Sequence, residues 1–209
     1  MTLPKVVRGR AWKFGDNIDT DQIIPAKYAI YSLDEKELGK HAMEGVPGRD
    51  TWASEVTRGD ILVGGSNFGC GSSREIAPVA IRGAGISLVI ADSFARIFFR
   101  NAINMGYPIL QSPQAAEAIE EGDELEVDLE QGVIRNFTRG DEYRSDAFPP
   151  FMNELLRMGG LVPWVRQRLA ERRLKAAARR SSMRELVHEP MNTLSIRMSV
   201  IAVFGARPM

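Results

Sequence analysis

Residues 69–75, with the sequence GCGSSRE, place two adjacent hydroxyls and a guanidinium within one short stretch. An apolar run precedes the stretch, and a segment with helical spacing follows it. A strand, a loop of small residues and a helix in that order leave free backbone N–H groups at the positive end of the helix. The hydroxyls of Ser72 and Ser73 and the guanidinium of Arg74 add donors that suit a carboxylate or a phosphate. The stretch therefore predicts an anion site, although it also fits an ordinary strand-to-helix connection in which serine is the N-cap.

A second polar stretch, residues 17–25 with the sequence NIDTDQIIP, lies in a turn-prone part of the chain. Two carboxylates, Asp19 and Asp21, flank Thr20, and Pro25 is expected to prevent a helix from beginning before it. The stretch is interpreted either as an Asx-type turn or helix cap, or as part of a polar site. Metal binding by the two acids alone is poorly supported, because no third ligand lies nearby in the sequence.

The composition of the chain excludes several kinds of site. It has 209 residues, 44% of them hydrophobic and 26% charged, which is ordinary for a globular protein with one core. A single cysteine, Cys70, excludes an internal disulfide, and it excludes an iron–sulfur cluster or a zinc site held by cysteines of this chain alone. The presence of only two histidines, His41 and His188, argues against a histidine-rich metal site. Any metal needed for activity is therefore expected from another molecule.

The sequence shows no pattern of a membrane or export segment. Residues 1–10 lack the long apolar core of a signal peptide, and no apolar run approaches the length that spans a bilayer. We therefore expect the chain in the cytoplasm.

The central part of the chain alternates between strand-like and helix-like segments. Predicted strands cover residues 61–63, 85–91 and 107–110, and predicted helices cover residues 73–82, 94–104 and 112–120. Residues 85–91 contain almost no polar side chain, which is typical of a strand covered on both faces of a parallel sheet. The repeated order of strand and helix predicts an α/β layer with right-handed crossovers.

The flanking segments complete the predicted architecture. Before the central part, the pattern predicts a strand at 6–14, a loop or short turn at 27–31, and two surface helices at 34–43 and 49–56. After it, the pattern predicts short antiparallel strands at 123–129, 133–137 and 142–145, followed by helices at 149–158 and 163–169.

The C-terminal part differs from the rest in charge. Residues 166–209 contain ten Arg or Lys residues against three Glu, a net charge of +7, whereas the whole chain has a net charge of zero. Residues 167–180 are rich in Arg and Ala and predict an exposed helix. A nucleic-acid contact is one interpretation of this charge, but no aromatic or groove-reading pattern accompanies it. We favour a solvated basic extension over residues 173–209, either disordered or loosely helical.

Three blocks of sequence resemble those of a known family and occur in the same order. They are residues 17–25, residues 67–75 and residues 91–104, the last with the sequence ADSFARIFFRNAIN. Together they resemble the signatures of the small subunit of 3-isopropylmalate dehydratase, the equivalent of the mobile swivel domain of aconitase. The resemblance spans roughly residues 5–170, so that residues 1–172 would form the swivel domain. It implies a three-layer α/β/α fold around a mixed, partly barrel-like sheet.

The resemblance also implies a reaction and a partner. Members of the family are hydro-lyases that remove water from a hydroxy acid and add it back with the opposite regiochemistry. Their large subunit carries a [4Fe–4S] cluster, so we expect no cofactor on this chain and no activity without that partner in a heterodimer or heterotetramer. By motif position, Ser72 is the base that takes a proton from carbon, and Ser73 and Arg74 hold a substrate carboxylate. Thr20 and Asp21 fall near the active site, where Asp21 has an orienting role.

The resemblance implies that the loop after the first block contacts the part of the substrate that differs between members of the family. Residues 28–31 read YAIY here, so that Tyr28 and Ile30 are the implied contacts. Relatives that act on an additional carboxylate, such as two-subunit homoaconitases, have Arg where Ile30 stands. An apolar side chain does not compensate for desolvating a carboxylate, but it suits an isopropyl or methyl group. The resemblance therefore favours isopropylmalate and leucine biosynthesis, with dimethylmalate or a homoaconitase substrate as alternatives.

A function outside the family stays open at this point. Residues 69–74 by themselves also fit a stand-alone anion- or nucleotide-binding module. The chain lacks the Gly-Lys-Ser/Thr ending of a P-loop and the Gly-x-Gly-x-x-Gly spacing of a dinucleotide fold, which argues against nucleotides.

Overall fold

Seven strands form one mixed sheet in the computed structural model, which describes residues 4–29, 34–145 and 148–187. In chain order they are β1 (Val6–Lys13), β2 (Ile61–Gly64), β3 (Leu88–Ala91), β4 (Ile109–Gln111), β5 (Glu124–Asp128), β6 (Val133–Asn136) and β7 (Asp141–Arg144). Their order across the sheet is β4-β3-β2-β1-β5-β6-β7. The pairs from β1 to β4 are parallel, whereas β5 pairs antiparallel with β1 and the last three strands form antiparallel pairs. The predicted α/β class with a mixed, partly barrel-like sheet is confirmed.

Nine helices occur within the described residues. They are α1 (Thr20–Ile23), α2 (Ala26–Ala29), α3 (Glu35–Gly39), α4 (Trp52–Glu55), α5 (Ile76–Ala84), α6 (Arg96–Asn104), α7 (Pro113–Ala118), α8 (Pro150–Arg157) and α9 (Leu161–Val187). From β2 to α7 the strands and helices alternate, as the pattern predicted. Pro113 occupies the first turn of α7, where its missing N–H removes no intrahelical hydrogen bond.

The central strands are covered on both faces. All residues of β2 and β3 are buried. Along β2, Leu62 packs into one hydrophobic cluster, and its neighbours Ile61 and Val63 pack into the other. Successive side chains of a strand point to opposite faces, so the two clusters lie on the two sides of the sheet. This explains why the strands lack the polar alternation of a half-exposed sheet.

The segment between β1 and β2 is more buried than the sequence indicated. We expected two surface helices there, but Leu38, Met43 and Trp52 are almost completely inaccessible to solvent. Trp52 makes edge-to-face contacts with Trp12 and Phe14, with ring centroids 5.9 and 5.6 Å apart. The prediction of surface helices was therefore wrong. Helices of four or five residues complete only about one turn, so their buried residues do not repeat often enough to reveal an apolar face.

A single long helix replaces two predicted ones near the C-terminal end of the described chain. The pattern predicted helices at 163–169 and 167–180, and α9 runs through both. By its internal packing the chain divides into two units, one that runs through Val165 and one that begins at Arg166. Within residues 166–180 there are seven Arg or Lys residues and one Glu. The domain boundary after residue 172 stays a prediction.

None of the described helices combines the length and the apolar character that crossing a membrane requires.

A buried carboxylate joins the first two strands of the core. Asp60 is 4% exposed and precedes β2. It accepts a hydrogen bond from the indole N–H of Trp12 at 2.8 Å and from the backbone N–H of Thr57 at 2.9 Å. Among the described contacts both donors have only this side chain as acceptor. Trp12 is 4% exposed, so removal of the carboxylate leaves its indole N–H buried without a partner.

We expect Asp60→Ala to lower the free energy of unfolding by about 1–3 kcal/mol, because the buried indole N–H of Trp12 loses its acceptor. Urea unfolding of the chain measures this difference. Asp50→Ala, which removes an exposed carboxylate, is the matched control and should change the free energy by less than about 0.5 kcal/mol. Equal unfolding midpoints for the two variants would show that Asp60 does not join the strands.

Candidate active site

Three loops meet at the edge of the sheet where the parallel strands β1, β2 and β3 end. Residues 14–19 leave β1, residues 65–75 leave β2, and residues 92–95 leave β3. Isolated bridges pair Asp19 with Cys70 and Phe68 with Phe94. The carboxyl ends of neighbouring parallel strands lie at one edge of a sheet, and ligands commonly bind there. The sheet thus brings the three signature blocks together.

Thr20 attaches the loop after β2 to the segment after β1. Its backbone N–H donates to the carbonyl of Cys70 at 2.8 Å, and its hydroxyl donates to the carbonyl of Ser72 at 3.0 Å. From the other direction, the N–H of Gly69 donates to the carbonyl of Ile18 at 2.7 Å. Thr20 is 1% exposed, so water does not compete for these hydrogen bonds. The backbone of residues 69–72 is therefore held at three points.

Two glycines allow this loop to lie against the aromatic residues beneath it. Gly69 and Gly71 have φ angles of +79° and +88°, in the left-handed region that side chains disfavour. A Cβ on Gly69 would also lie 2.3 Å from Cγ of Phe98, a buried ring of α6. Phe98 contacts the ring of Phe68 edge-to-face at 5.3 Å. The small residues of the loop thus permit a close approach to packed rings.

Asp19 caps a short helix, so the interpretation of the Asp-Thr-Asp stretch as a helix cap is right for this residue. Its carboxylate accepts from the N–H of Gln22 at 2.7 Å, and the side chain of Gln22 accepts from the N–H of Asp19 at 2.9 Å. This reciprocal capping box was visible in the sequence as Asp followed three residues later by Gln. The expectation that Pro25 would exclude a helix before it was wrong, because proline restricts mainly its predecessor. That predecessor, Ile24, is extended and ends α1.

Asp21 lies on the exposed side of α1 and pairs with Arg74. The distance from Arg74 Nη1 to Asp21 Oδ1 is 2.6 Å, and the same nitrogen donates to the carbonyl of Ile24 at 3.0 Å. The side chain of Arg74 is 17% exposed and that of Asp21 is 60% exposed. A guanidinium has five N–H donors, so these contacts hold its plane and leave donors for a second anion.

Ser72 and Ser73 are both exposed. Within the described part of the chain, no hydrogen bond engages either hydroxyl or the backbone N–H groups of residues 72–74. The following helix begins at Ile76, three residues later than predicted, with Glu75 at its N-cap position and no side-chain cap. The alternative interpretation of the stretch, in which a serine is the N-cap, was therefore wrong.

A set of polar contacts supports the neighbouring loops. The hydroxyl of Ser66 donates to Asp92 at 2.6 Å, and the N–H of Ser66 donates to Asp16 at 2.7 Å. The amide side chain of Asn67 donates to that of Asn17 at 3.0 Å, and both residues have positive φ angles, of 56° and 54°. Asparagine tolerates this conformation better than most residues. These contacts tie the loops after β1, β2 and β3 to one another.

Tyr28 lies in a separate cluster of side chains. Its hydroxyl donates to Oε1 of Glu44 at 2.8 Å, and its ring stacks on the ring of His41 with centroids 3.7 Å apart. Lys27 Nζ is 3.4 Å from the same carboxylate oxygen. Burial alone would raise the pKa of Glu44, but hydrogen bonds from Tyr28, His41 and Lys27 outweigh it and lower that pKa. Ile30 lies outside the described residues.

The structure thus brings together Thr20, Asp21, Ser72 and Arg74, with Ser73 beside them on the loop. The sequence analysis did not identify Glu44 or His41 as partners of Tyr28. No motif marks this contact, because the partners lie 13 and 16 residues away and neither spacing corresponds to a known pattern.

The described residues contain no group of three His, Cys, Asp or Glu side chains placed to bind a metal ion. Cys70, the only cysteine of the sequence, is half-buried, and its Sγ lies 3.5 Å from the carbonyl of Asn17.

Comparisons with known proteins identify the family of the chain. The Aconitase C-terminal domain family matches residues 50–115. The 3-isopropylmalate dehydratase small subunit of Thermodesulfovibrio yellowstonii is 52% identical over 169 residues, which cover 81% of this chain and 99% of the relative. The corresponding subunit of Aquifex aeolicus is 54% identical over 165 residues, which cover 79% of this chain and 97% of the relative.

Methanocaldococcus jannaschii supplies a third relative and a solved structure. Its isopropylmalate/citramalate isomerase small subunit is 51% identical over 169 residues, which cover 81% of this chain and 99% of the relative. A crystal structure of 3-isopropylmalate dehydratase from the same organism matches with a TM-score of 0.75 and 40% identity, over 81% of this chain and 99% of that one. With the shared fold and half of its aligned residues identical over nearly the whole of these relatives, the chain belongs to the family of 3-isopropylmalate dehydratase small subunits.

Proposed function

We propose that this chain is the small subunit of a two-subunit hydro-lyase that dehydrates and rehydrates isopropylmalate in leucine biosynthesis. The observation that carries the proposal is the joining of Thr20 and Asp21 to the loop of Ser72 and Arg74, in a chain of this family. This places hydroxyl and guanidinium donors of the two blocks at one edge of the sheet. The relatives give no support to the alternative function, a stand-alone module that binds nucleotides.

In the proposed reaction, Ser72 takes a proton from the substrate carbon. Its exposed hydroxyl has no acceptor within the described residues, so it is open to a ligand. A serine hydroxyl is a weak acid, and its anion needs stabilisation by nearby donors. The free backbone N–H groups of residues 72–74 and the hydroxyl of Ser73 supply donors of the right kind. The carbonyl of Ser72 is held by Thr20, which limits the positions that the side chain can take.

Arg74 holds a substrate carboxylate in the same proposal, and Ser73 assists it. Asp21 orients the guanidinium, since it contacts one terminal nitrogen at 2.6 Å. The second terminal nitrogen can then form one arm of a pair of parallel hydrogen bonds with a carboxylate, the geometry for which arginine is suited. Asp21 itself is a poor candidate for proton transfer, because its carboxylate is already engaged.

The partner is a large subunit that carries a [4Fe–4S] cluster. One half-buried thiol on this chain is too few for the several cysteine thiolates that hold such a cluster. When bound, the cluster supplies a Lewis acid for the departing hydroxyl group. The residues of this chain bind the carboxylate and move the carbon-bound proton. We therefore infer that catalysis requires the heterodimer or heterotetramer.

The substrate is a malate with a small apolar branch. Ile30 offers no charge to a second distal carboxylate, which opposes homocitrate-type acids. Citramalate or dimethylmalate is the second candidate, because one relative that is 51% identical is named for both isopropylmalate and citramalate. Co-expression with the cluster-bearing subunit, followed by assays on these acids, tests the choice directly.

Ser72→Ala should lower kcat of the assembled enzyme by about 1,000-fold, because the proton acceptor is lost. Initial-rate assays on isopropylmalate measure kcat and KM of each variant. Ser73→Ala on the same exposed loop is the matched control, and it should mainly raise KM. A residual rate for Ser72→Ala within about tenfold of the native enzyme would mean that another group is the base.

Thr20→Val keeps the side-chain shape and removes the hydroxyl that holds the carbonyl of Ser72. We expect kcat to fall by about tenfold and the free energy of unfolding by about 1–2 kcal/mol. Thr57→Val, at an exposed position whose hydroxyl makes no described hydrogen bond, should change neither. Native kinetics in Thr20→Val would show that the hydroxyl does not position the loop.

Ile30→Arg should shift the ratio of kcat/KM toward acids with an additional carboxylate, since a guanidinium compensates for desolvation of that group. Ile30→Leu should keep the original preference. A panel of isopropylmalate, dimethylmalate and homocitrate-type acids measures the ratio, and an unchanged order of preference in Ile30→Arg would contradict the assignment.

A further inference from the structure

One side of α6 presents two arginines and an isoleucine to solvent. Arg96 and Arg100 are four residues apart and Ile97 lies between them, so helical geometry places all three on one side of the helix. All three are exposed, and Ile97 is 43% exposed although it is apolar. The opposite side of the helix is buried in the core through Phe98 and Ala102. We call Arg96, Ile97 and Arg100 the α6 face.

The two arginines of the α6 face have no acid beside them. Within the described residues, no hydrogen bond, ion pair or ring contact engages either guanidinium. The helices that contact α6 differ in this respect. Arg82 of α5 pairs with Glu35, and Arg157 of α8 pairs with Glu130. The α6 face is therefore a cationic surface that the described part of its own chain does not neutralise.

The beginning of α6 adds to the positive potential of this face. No side chain caps the helix, its first turn contains no acid, and Arg96 is its first residue. The first turn of a helix has N–H groups without intrahelical acceptors and the positive end of the dipole, so a cation is disfavoured there and an anion is favoured. A carboxylate of another molecule is thus attracted both by the helix and by the guanidinium groups. The α6 face suits a partner that presents acidic side chains.

The α6 face begins at the edge of the sheet that carries the candidate active site. The helix follows the carboxyl end of β3, and backbone hydrogen bonds fasten its entry to the loop after β2. The N–H of Ala95 donates to the carbonyl of Phe68 at 2.9 Å, and the N–H of Phe68 donates to the carbonyl of Ser93 at 2.9 Å. Arg100 lies about 6 Å further along the helix axis than Arg96. The first turn of α6 and the exposed serines of the loop therefore belong to the same edge.

We propose that the α6 face docks the cluster-bearing large subunit, through acidic side chains that flank an apolar contact with Ile97. The inference rests on the proposed function, in which that subunit approaches the exposed Ser72 and Ser73. A stable interface covers about 800 Å² on each partner, so it extends well beyond the loop of residues 69–75. The α6 face is continuous with that loop, and arginine is enriched in interfaces, whose buried centre is apolar. The face thus sets the orientation of the large subunit relative to the serines.

The test measures Kd between the purified chain and the cluster-bearing subunit by sedimentation, at about 50 mM and about 500 mM salt. The double variant Arg96→Glu/Arg100→Glu should raise Kd about 100-fold at the lower salt concentration, because attraction becomes repulsion. At the higher concentration the increase should shrink to about tenfold, since salt screens charged contacts. Ile97→Ser should raise Kd about tenfold at both salt concentrations, because it removes the apolar contact.

The double variant Lys36→Glu/Arg58→Glu is the matched control, because it changes the net charge of the chain equally. Both side chains are exposed and have no described ion pair. Arg58 precedes β2, and Lys36 follows Glu35, which pairs with Arg82 in the last turn of α5. Both positions therefore lie away from the carboxyl ends of the parallel strands. The control should keep Kd within about twofold of the native value.

Equal Kd values for the α6 double variant and the control would overturn the proposal, and so would a native Kd for Ile97→Ser. Sedimentation of the chain alone tests a second copy as the occupant. A self-association that the α6 double variant abolishes would show that the face joins two copies, which also overturns the proposal. Urea unfolding should give at least the native midpoint for this variant, because Glu is favoured over Arg at the first position of a helix.

The proposed function and the docking face fail in different ways. A complex with tight Kd that turns over neither isopropylmalate nor citramalate would refute the proposed function, whereas the comparison of Kd values between variants still decides the docking face. Turnover of isopropylmalate together with equal Kd values in all variants would leave the proposed function standing and overturn the docking face.

Discussion

The hydrogen bonds of Thr20 are the contacts on which the rest of the site depends. Its amide and hydroxyl bind two carbonyls of the loop that follows β2, and the threonine itself stands on the segment that follows β1. Because β1 and β2 are parallel neighbours, both segments leave the sheet at one edge, and a single buried residue suffices to join them. Asp21, the next residue, then reaches Arg74 in the same loop. Thr20 thus holds the backbone of the loop, and its neighbour Asp21 orients the side chain of Arg74.

The aromatic residues below the loop set how closely it approaches the sheet. Phe68, Phe94 and Phe98 contact one another at ring distances of 5.3 to 6.2 Å. Gly69 fits against this group only because it lacks a side chain. The rings form a firm base, and the serines above it remain exposed. A rigid support beneath open polar groups holds those groups in a fixed position for a ligand.

Much of this arrangement could be predicted from the sequence, and the failures have physical causes. The apolar runs of β2 and β3 indicated a buried parallel sheet, and the blocks around Thr20 and Ser72 indicated the two segments that meet in the candidate site. The start of α5 was misplaced because serine is a common N-cap, whereas the observed N-cap position is Glu75 without a side-chain cap. The burial of Trp52 was missed because its helix is one turn long. The contact between Tyr28 and Glu44 depends on tertiary structure alone, and no local sequence pattern predicts it.

The pairing of Asp21 with Arg74 has an electrostatic consequence for the site before substrate arrives. The guanidinium and the carboxylate cancel, so this corner of the loop carries no net charge of its own. Small inorganic anions are therefore attracted less strongly than they would be to an unpaired arginine. In the role proposed for Arg74, a carboxylate would gain from directed N–H groups of the guanidinium, whose hydrogen bonds are strengthened by charge. The exposed acid thus lowers the positive charge that the candidate site presents before a ligand binds.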